Sequence, residues 1–373
     1  MRKLPLLVLS LGIILLVVWI SKRPVEQKQV AKPPFQNEQV KPVDPVKPPI
    51  VKPKTYEEAL ASISESEIKQ HLEYLCSQDL EGRMSGKKGN ILAAEYIKKI
   101  YESYGLQTAY QKFPISRVNP GPKNENGDDF TQNVIAWMDG PKDEIVVVGA
   151  HMDHIGYGPK MSSWGGGKIH PGADDNGTGT VALLQIAKAC AALKGQNKRT
   201  IVFMSFSGEE MGLIGSRYYV DNPMFPKGGP DLKKHVFMLN MDMVGYLGKL
   251  KTSGEIETDS SADISGMITQ LSKKYTFART ITGRSGGGSD HASFYNKKIP
   301  VACLHTGMHS AYHTPSDTVD RINMPGVQSV ACYAFELAWL ATQAEERPSF
   351  NYGGFKEMEY THDHGQMPFG KDK

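Results

Sequence analysis

The stretch Gly172-Ala173-Asp174-Asp175-Asn176-Gly177-Thr178-Gly179 places two carboxylates at the mouth of an apolar helix, downstream of an apolar strand. Clustered carboxylates repel one another and are costly to desolvate, so such a run between buried elements demands a cation. Other residues able to hold one are spread along the chain: His151 and Asp153 after Ile145–Ala150, Glu209 and Glu210 after Gly208, Asp242 after Met241, and His313. Without paired thiolates, zinc takes imidazole nitrogen and carboxylate oxygen, and a catalytic site keeps a position open for water. We assign His151 and Asp242 to one Zn2+, Glu210 and His313 to a second, and Asp175, which has two oxygens, to both. Two divalent ions against three carboxylates leave a net charge of about +1, which a bound hydroxide neutralises, so hydrolysis near neutral pH is the expected chemistry. Asp153, two residues after His151, is placed to receive the other ring N–H of that histidine and set its tautomer. Neighbouring residues at a strand end point different ways, so Glu209 does not share a metal with Glu210 and is the expected general base.

Those residues must be brought together by the elements between them. Apolar, β-branched strands are predicted at Gln132–Met138, Glu144–Ala150, Thr200–Phe206, His235–Leu239 and Ile299–His305. Helices are predicted from Ser64 through Leu75, from Ala93 to Tyr104, and at Val181–Leu193, Gly212–Val220, Ser261–Tyr275 and Val327–Thr342. Ser64-Glu65-Ser66-Glu67 reads as a capping box. The alternation predicts an α/β fold with a largely parallel mixed sheet flanked by helices. In such sheets ligands bind beyond the carboxyl ends of the strands, and His151, Glu209, Glu210, Asp242 and His313 all follow strands there.

Up to Lys54 there are ten Lys/Arg against three Asp/Glu, while the whole chain carries only +3, so the remainder is net acidic and no nucleic-acid partner is expected. Cys76, Cys190, Cys303 and Cys332 have no paired spacing, which argues against a Cys-based zinc site or a disulfide scaffold; buried free thiols are expected for Cys190 and Cys303. Leu4–Ile20 is an uncharged apolar run, so residues 1–22 read as a signal anchor, or as a signal peptide if cleaved, tying the chain to a membrane with the catalytic domain outside the cytoplasm. Residues 23–54, with eight of the 23 prolines and Val-Lys-Pro recurring at Val40, Val46 and Val51, read as a disordered linker. Residues 55–345 form the expected catalytic domain and 346–373 a tail.

The motifs together resemble the co-catalytic zinc aminopeptidases, whose relatives include glutamate carboxypeptidase, glutaminyl cyclase and the transferrin-receptor ectodomain. The resemblance runs from about Ser64 to Ala344. It rests on Leu80-Glu81-Gly82-Arg83, Ala150-His151-Met152-Asp153-His154-Ile155-Gly156, Gly172 to Gly179, Gly208-Glu209-Glu210, Asn240-Met241-Asp242-Met243, Ser289-Asp290-His291-Ala292-Ser293-Phe294 and His313-Thr314-Pro315-Ser316-Asp317. It implies a single zinc-exopeptidase domain of the phosphorylase/hydrolase-like kind, Asp175 rather than Asp174 as the bridging ligand, and a cis Asp175–Asn176 peptide. Some family members carry an inserted protease-associated domain, for which the gap from Gln111 to Asp129 is too short. His154, His170, His291, His305 and His309 are expected to pack around the ligands or hydrogen-bond to them rather than join them, and Tyr157–Pro171 and Gly286–Gly288 to line a pocket or form surface turns. The function expected is removal of single residues from peptides with a free N-terminus. The alternatives are a glutaminyl cyclase-like or carboxypeptidase-like enzyme of the same fold, or a non-catalytic receptor-like domain.

Overall fold

The computed structural model describes residues 55–115, 130–158, 166–249, 255–257, 260–277, 279–281 and 288–351. The apolar run Leu4–Ile20, the proline-rich stretch, most of the tail, residues 116–129 and much of the two glycine-rich loops lie outside the described residues. Among the described residues no helix is long and apolar enough to cross a membrane.

The strands are β1 (Gln107–Pro114), β2 (Phe130–Met138), β3 (Lys142–His151), β4 (Arg199–Phe206), β5 (His235–Met241), β6 (Glu255–Glu257), β7 (Arg279–Ile281) and β8 (Val301–His305). The helices are α1 (Tyr56–Ala61), α2 (Glu65–Leu75), α3 (Lys88–Ser103), α4 (Gly179–Ala192), α5 (Ile214–Asp221), α6 (Ala262–Leu271), α7 (His291–Tyr295) and α8 (Met324–Gln343). One sheet runs in the order β1, β2, β4, β3, β5, β8, β6, β7. Its centre, β4, β3, β5 and β8, is parallel, whereas β1, β2 and β6 join by antiparallel pairing. The predicted apolar runs are β2 to β5 and β8. β1 at the edge has one half-solvated face and no apolar run, so no buried-strand signal marks it.

Both faces of the central strands are covered, which is why they read as continuous apolar runs. Val146, Val148, Ile201, Phe203, Phe237 and Leu239 face one core with α4 and α8; the alternate residues Ile145, Val147, Val202, Met204 and Met238 face another with Tyr219 of α5 and Phe294 of α7. α4 is mostly apolar and buried except at Lys188, as a helix sandwiched between a sheet and other helices must be. Each of its buried Leu side chains contributes about 1.5–3 kcal/mol.

The capping box expected at Ser64 is only half formed. Ser64 Oγ accepts from the Glu67 amide, but the Ser64 amide donates to Gln185 Oε1 of α4 at 3.0 Å, and Glu67 turns to Lys188 and Gln185. A tertiary acceptor displaces the local one. The complete reciprocal box occurs instead at Thr55 and Glu58. All four cysteines are free thiols.

Two buried histidines away from the candidate site make the fold acid-sensitive. Burial holds His235 at about 4, partly offset by the Leu232 carbonyl, and holds His71 at about 4 as well, against an ordinary 6.5. His235 Nδ1 donates to the Leu232 carbonyl at 3.1 Å, which leaves Nε2 to accept from the Tyr219 hydroxyl at 2.7 Å. Folded values below unfolded ones mean that the unfolded chain binds the extra protons. The stability these groups contribute is therefore complete above pH 6.5 and lost as pH falls toward 4, by roughly 3 kcal/mol each. Urea unfolding of His235→Leu is expected to show a shallower loss of stability over this window than the parent, even though the variant starts less stable; parallel curves would contradict the assignment.

Candidate active site

The site is assembled at the carboxyl edge of the parallel strands. His151 ends β3, Glu209 and Glu210 lie in the turn after β4, Asp242 follows β5, and His313 lies in the loop after β8. Asp175 projects from an irregular turn, Ala173–Thr178, ahead of α4. Gly172 opens this turn with φ +59°, and a Cβ there would lie 2.3 Å from the Asp175 carbonyl and 2.5 Å from the His154 ring, so a side chain has no room. The Asp175–Asn176 peptide is cis, as the resemblance implied.

Three side chains hold the turn in place. The Asp317 carboxylate accepts the amides of Asp174 and Asp175 at 2.9 and 3.0 Å. Asn176 donates to the Met241 carbonyl at 2.9 Å, which ties the turn to the strand end beside Asp242. Asp174 is committed to the scaffold: Oδ1 accepts the Gly245 amide and the Thr178 hydroxyl, and Oδ2 lies 3.0 Å from His309 Nε2. That leaves Asp175 free to face the site.

Arg83, within the Leu80-Glu81-Gly82-Arg83 turn, has a role that no local pattern announces. Its guanidinium is buried and donates to four carbonyls, Met152, Leu75, Pro171 and Gly172, at 2.6–3.0 Å. One side chain thus spaces the backbone carrying His151 and Asp153 from the backbone leading to Asp175.

The reactive side chains form two donor sets that share one residue. His151, Asp175 and Asp242 make one; His154, Asp175, Glu210 and His313 make the other, with the donor atoms of each set within 4.8 Å of one another. Asp175 Oδ1 lies 3.5 Å from His151 Nε2, and its Oδ2 lies 3.0 Å from His313 Nε2. His313 Nε2 is also 3.0 Å from Glu210 Oε2, and Asp242 Oδ1 is 3.4 Å from His151 Nε2. Asp242 Oδ1 is buried and receives no hydrogen bond among the described residues, the condition of an oxygen suited to a cation. A carboxylate that splits its oxygens between two imidazole-bearing sets suits a pair of divalent ions, and the N/O donors suit zinc. Glu209 belongs to neither set.

Residues 133–338, which include every one of these donors, match Peptidase family M28. The chain belongs to this family. Among curated proteins it is similar to a probable leucine aminopeptidase of Arthroderma otae, 33% identical over 221 residues that cover 56% of this chain and 58% of that protein. The chain spans little more than half the length of the first curated relatives it matches. Among solved structures it is similar to a zinc aminopeptidase from Bacillus subtilis, 18% identical with a TM-score of 0.61, covering 76% of this chain and 96% of that one. It is also similar to a Bacteroides thetaiotaomicron glutaminyl cyclase, 17% identical with a TM-score of 0.61, covering 74% and 98%. These two structural likenesses concern the fold alone.

Within the M28 site one expectation is revised. The nearest acceptor for His151 Nδ1 is the carbonyl oxygen of Asp153 at 3.2 Å; its carboxylate oxygen is 3.7 Å away. That carboxylate accepts instead from the Ser85 hydroxyl at 3.0 Å and the Glu209 amide at 3.3 Å, which draws it away from the ring and leaves the backbone carbonyl as the acceptor. His154, expected to pack around or hydrogen-bond to the ligands rather than join them, stands 2.8 Å from Glu210 Oε1. His170 and His305 make local backbone contacts, to the Lys168 carbonyl and the Gly307 amide, and His291 is buried at the start of α7.

The electrostatics of the M28 site follow from charge crowded out of water. Burial pushes the Glu209 carboxyl well above its usual range; His151 opposes this, and Glu210, Asp242 and Asp290 add to it. Burial likewise lifts Asp290 to about 7. Burial alone would lower His151 and His313, but Glu209 and Asp242 raise the first well above its ordinary value, and Glu210 and Asp175 push the second up to about 10. Imidazoles that hold protons so firmly among carboxylates mark positions where positive charge is favoured.

Proposed function

We propose that this chain is a two-zinc aminopeptidase that removes the N-terminal residue from peptides with a free amino terminus. His151 and Asp242 would hold one ion, Glu210 and His313 the other, with Asp175 between them. The observation that carries the reading is Asp175 addressing His151 with one oxygen and His313 with the other, while Glu209 stands beside both sets and in neither. Bound there, zinc supplies Lewis acidity toward the peptide carbonyl and toward water. Glu209, raised by burial, takes a proton from the attacking water and returns it to the departing amine. Asp153 orients that base through the Glu209 amide. Similarity to leucine aminopeptidases supports an apolar first residue in the substrate.

The test combines metal counting with substrate choice. Two zinc ions per chain at saturation, with hydrolysis of leucine anilide and none of its N-acetyl derivative, is the expected outcome. One zinc ion per chain, with pyroglutamate formed from N-terminal glutamine peptides, would replace this reading with cyclisation.

A further inference from the structure

The second donor set contains one histidine more than the two-zinc assignment uses. His154 is fully buried, packed against Gly172 on one side and edge-on to the His313 ring on the other, with centroids 5.6 Å apart. Its Nδ1 is 2.8 Å from Glu210 Oε1 and 3.7 Å from Asp175 Oδ2. The Glu210 carboxylate is thereby divided, Oε1 toward His154 and Oε2 toward His313 at 3.0 Å. His154 Nε2 is buried with no hydrogen-bond partner among the described residues.

Two roles would bring Nδ1 this close to Glu210. Were His154 a metal ligand through Nδ1, its proton would sit on Nε2, leaving a buried N–H with no acceptor, a costly and rare arrangement. With the proton on Nδ1, the unpartnered atom is a lone pair, and the 2.8 Å contact is an N–H donated to a carboxylate.

We infer that His154 is a positioning residue that donates Nδ1–H to Glu210 Oε1 and so presents Oε2 alone to the set formed with Asp175 Oδ2 and His313 Nε2. This deepens the two-zinc reading and rests on it. Holding one oxygen back keeps Glu210 from wrapping a cation with both and preserves an open coordination position. Without the donor, Glu210 is free to rotate, and one of the two metal sites weakens while the other is unaffected.

Zinc affinity of the full chain, measured by competition with a chromophoric chelator, separates the possibilities. Asparagine places its amide nitrogen close to the position of Nδ1 but is a poor zinc ligand, whereas glutamine sets its donor one bond too far. For His154→Ala and His154→Gln, one of the two sites is expected to lose about ten- to a hundredfold in affinity, with kcat/KM falling in parallel. For His154→Asn both sites stay near the parent. An alanine variant that binds zinc like the parent overturns the inference, and an asparagine variant as weak as alanine shows that His154 is itself a ligand. Should the alanine variant not fold, asparagine and glutamine decide between them, and equal losses in both count against the inference. A parent chain that binds no zinc would sink the proposed function itself, whatever the variants do.

Discussion

Glu209→Gln is expected to leave the zinc content unchanged while lowering kcat by about a hundredfold to ten-thousandfold, the range supplied by a positioned general base. Glu209 lies outside both donor sets, its Oε2 3.9 Å from His151 Nε2, so its loss removes no ligand. Its backbone stays fixed because the amide donates to Asp153 Oδ1 and the preceding Gly208 amide donates to Ser85 Oγ. Glutamine keeps the shape of the side chain and cannot accept a proton at useful pH. Steady-state kinetics on leucine anilide, with metal analysis of the same sample, reads both quantities. Loss of zinc would make Glu209 a ligand, and an unchanged kcat would move the base elsewhere.

Asp175→Asn is expected to act on the metal and the fold in opposite directions. The carboxamide removes one negative charge shared by both sets and offers a single good oxygen donor, so at least one zinc should be lost. With it goes transition-state stabilisation worth several kcal/mol, roughly a thousandfold or more in kcat. In the presence of a chelator, however, the variant should be at least as stable as the parent. Burial raises the Asp175 carboxyl and the nearby Glu210 raises it further, although His313, His154 and His151 pull it down, so the ionised form is a net cost to the fold without a cation. Thermal melts with and without zinc measure both effects: the parent gains markedly on adding zinc through preferential binding to the folded state, and Asp175→Asn gains little. A variant that melts earlier than the parent in chelator would mean that the Asp175 carboxylate stabilises the fold through its histidine neighbours alone.

Much of this site is visible in the residues themselves because its chemistry is specific. A run such as Asp174-Asp175-Asn176 cannot be buried without positive charge, and apolar runs such as Val146-Val147-Val148 and Ile201-Val202-Phe203 can only be central strands covered on both faces. Strand ends then place His151, Glu210 and Asp242 on one edge without further information. Elements with no periodic signal escape such a reading: β1, half-solvated at the sheet edge, the three-residue strands β6 and β7, and the short helices α1 and α7.

Sequence alone thus determined which residue types meet and that they meet beyond the strands, since charge neutrality and burial period are properties of the chain. Tertiary structure alone decided how they are held. Arg83 gripping the Met152, Pro171 and Gly172 carbonyls, Asp317 receiving the two amides of the carboxylate turn, Gln185 displacing a local cap at Ser64 and His154 taking one oxygen of Glu210 join atoms far apart along the chain. Hydrogen bonds of that kind depend on where loops cross in space, and no spacing or composition encodes the crossing.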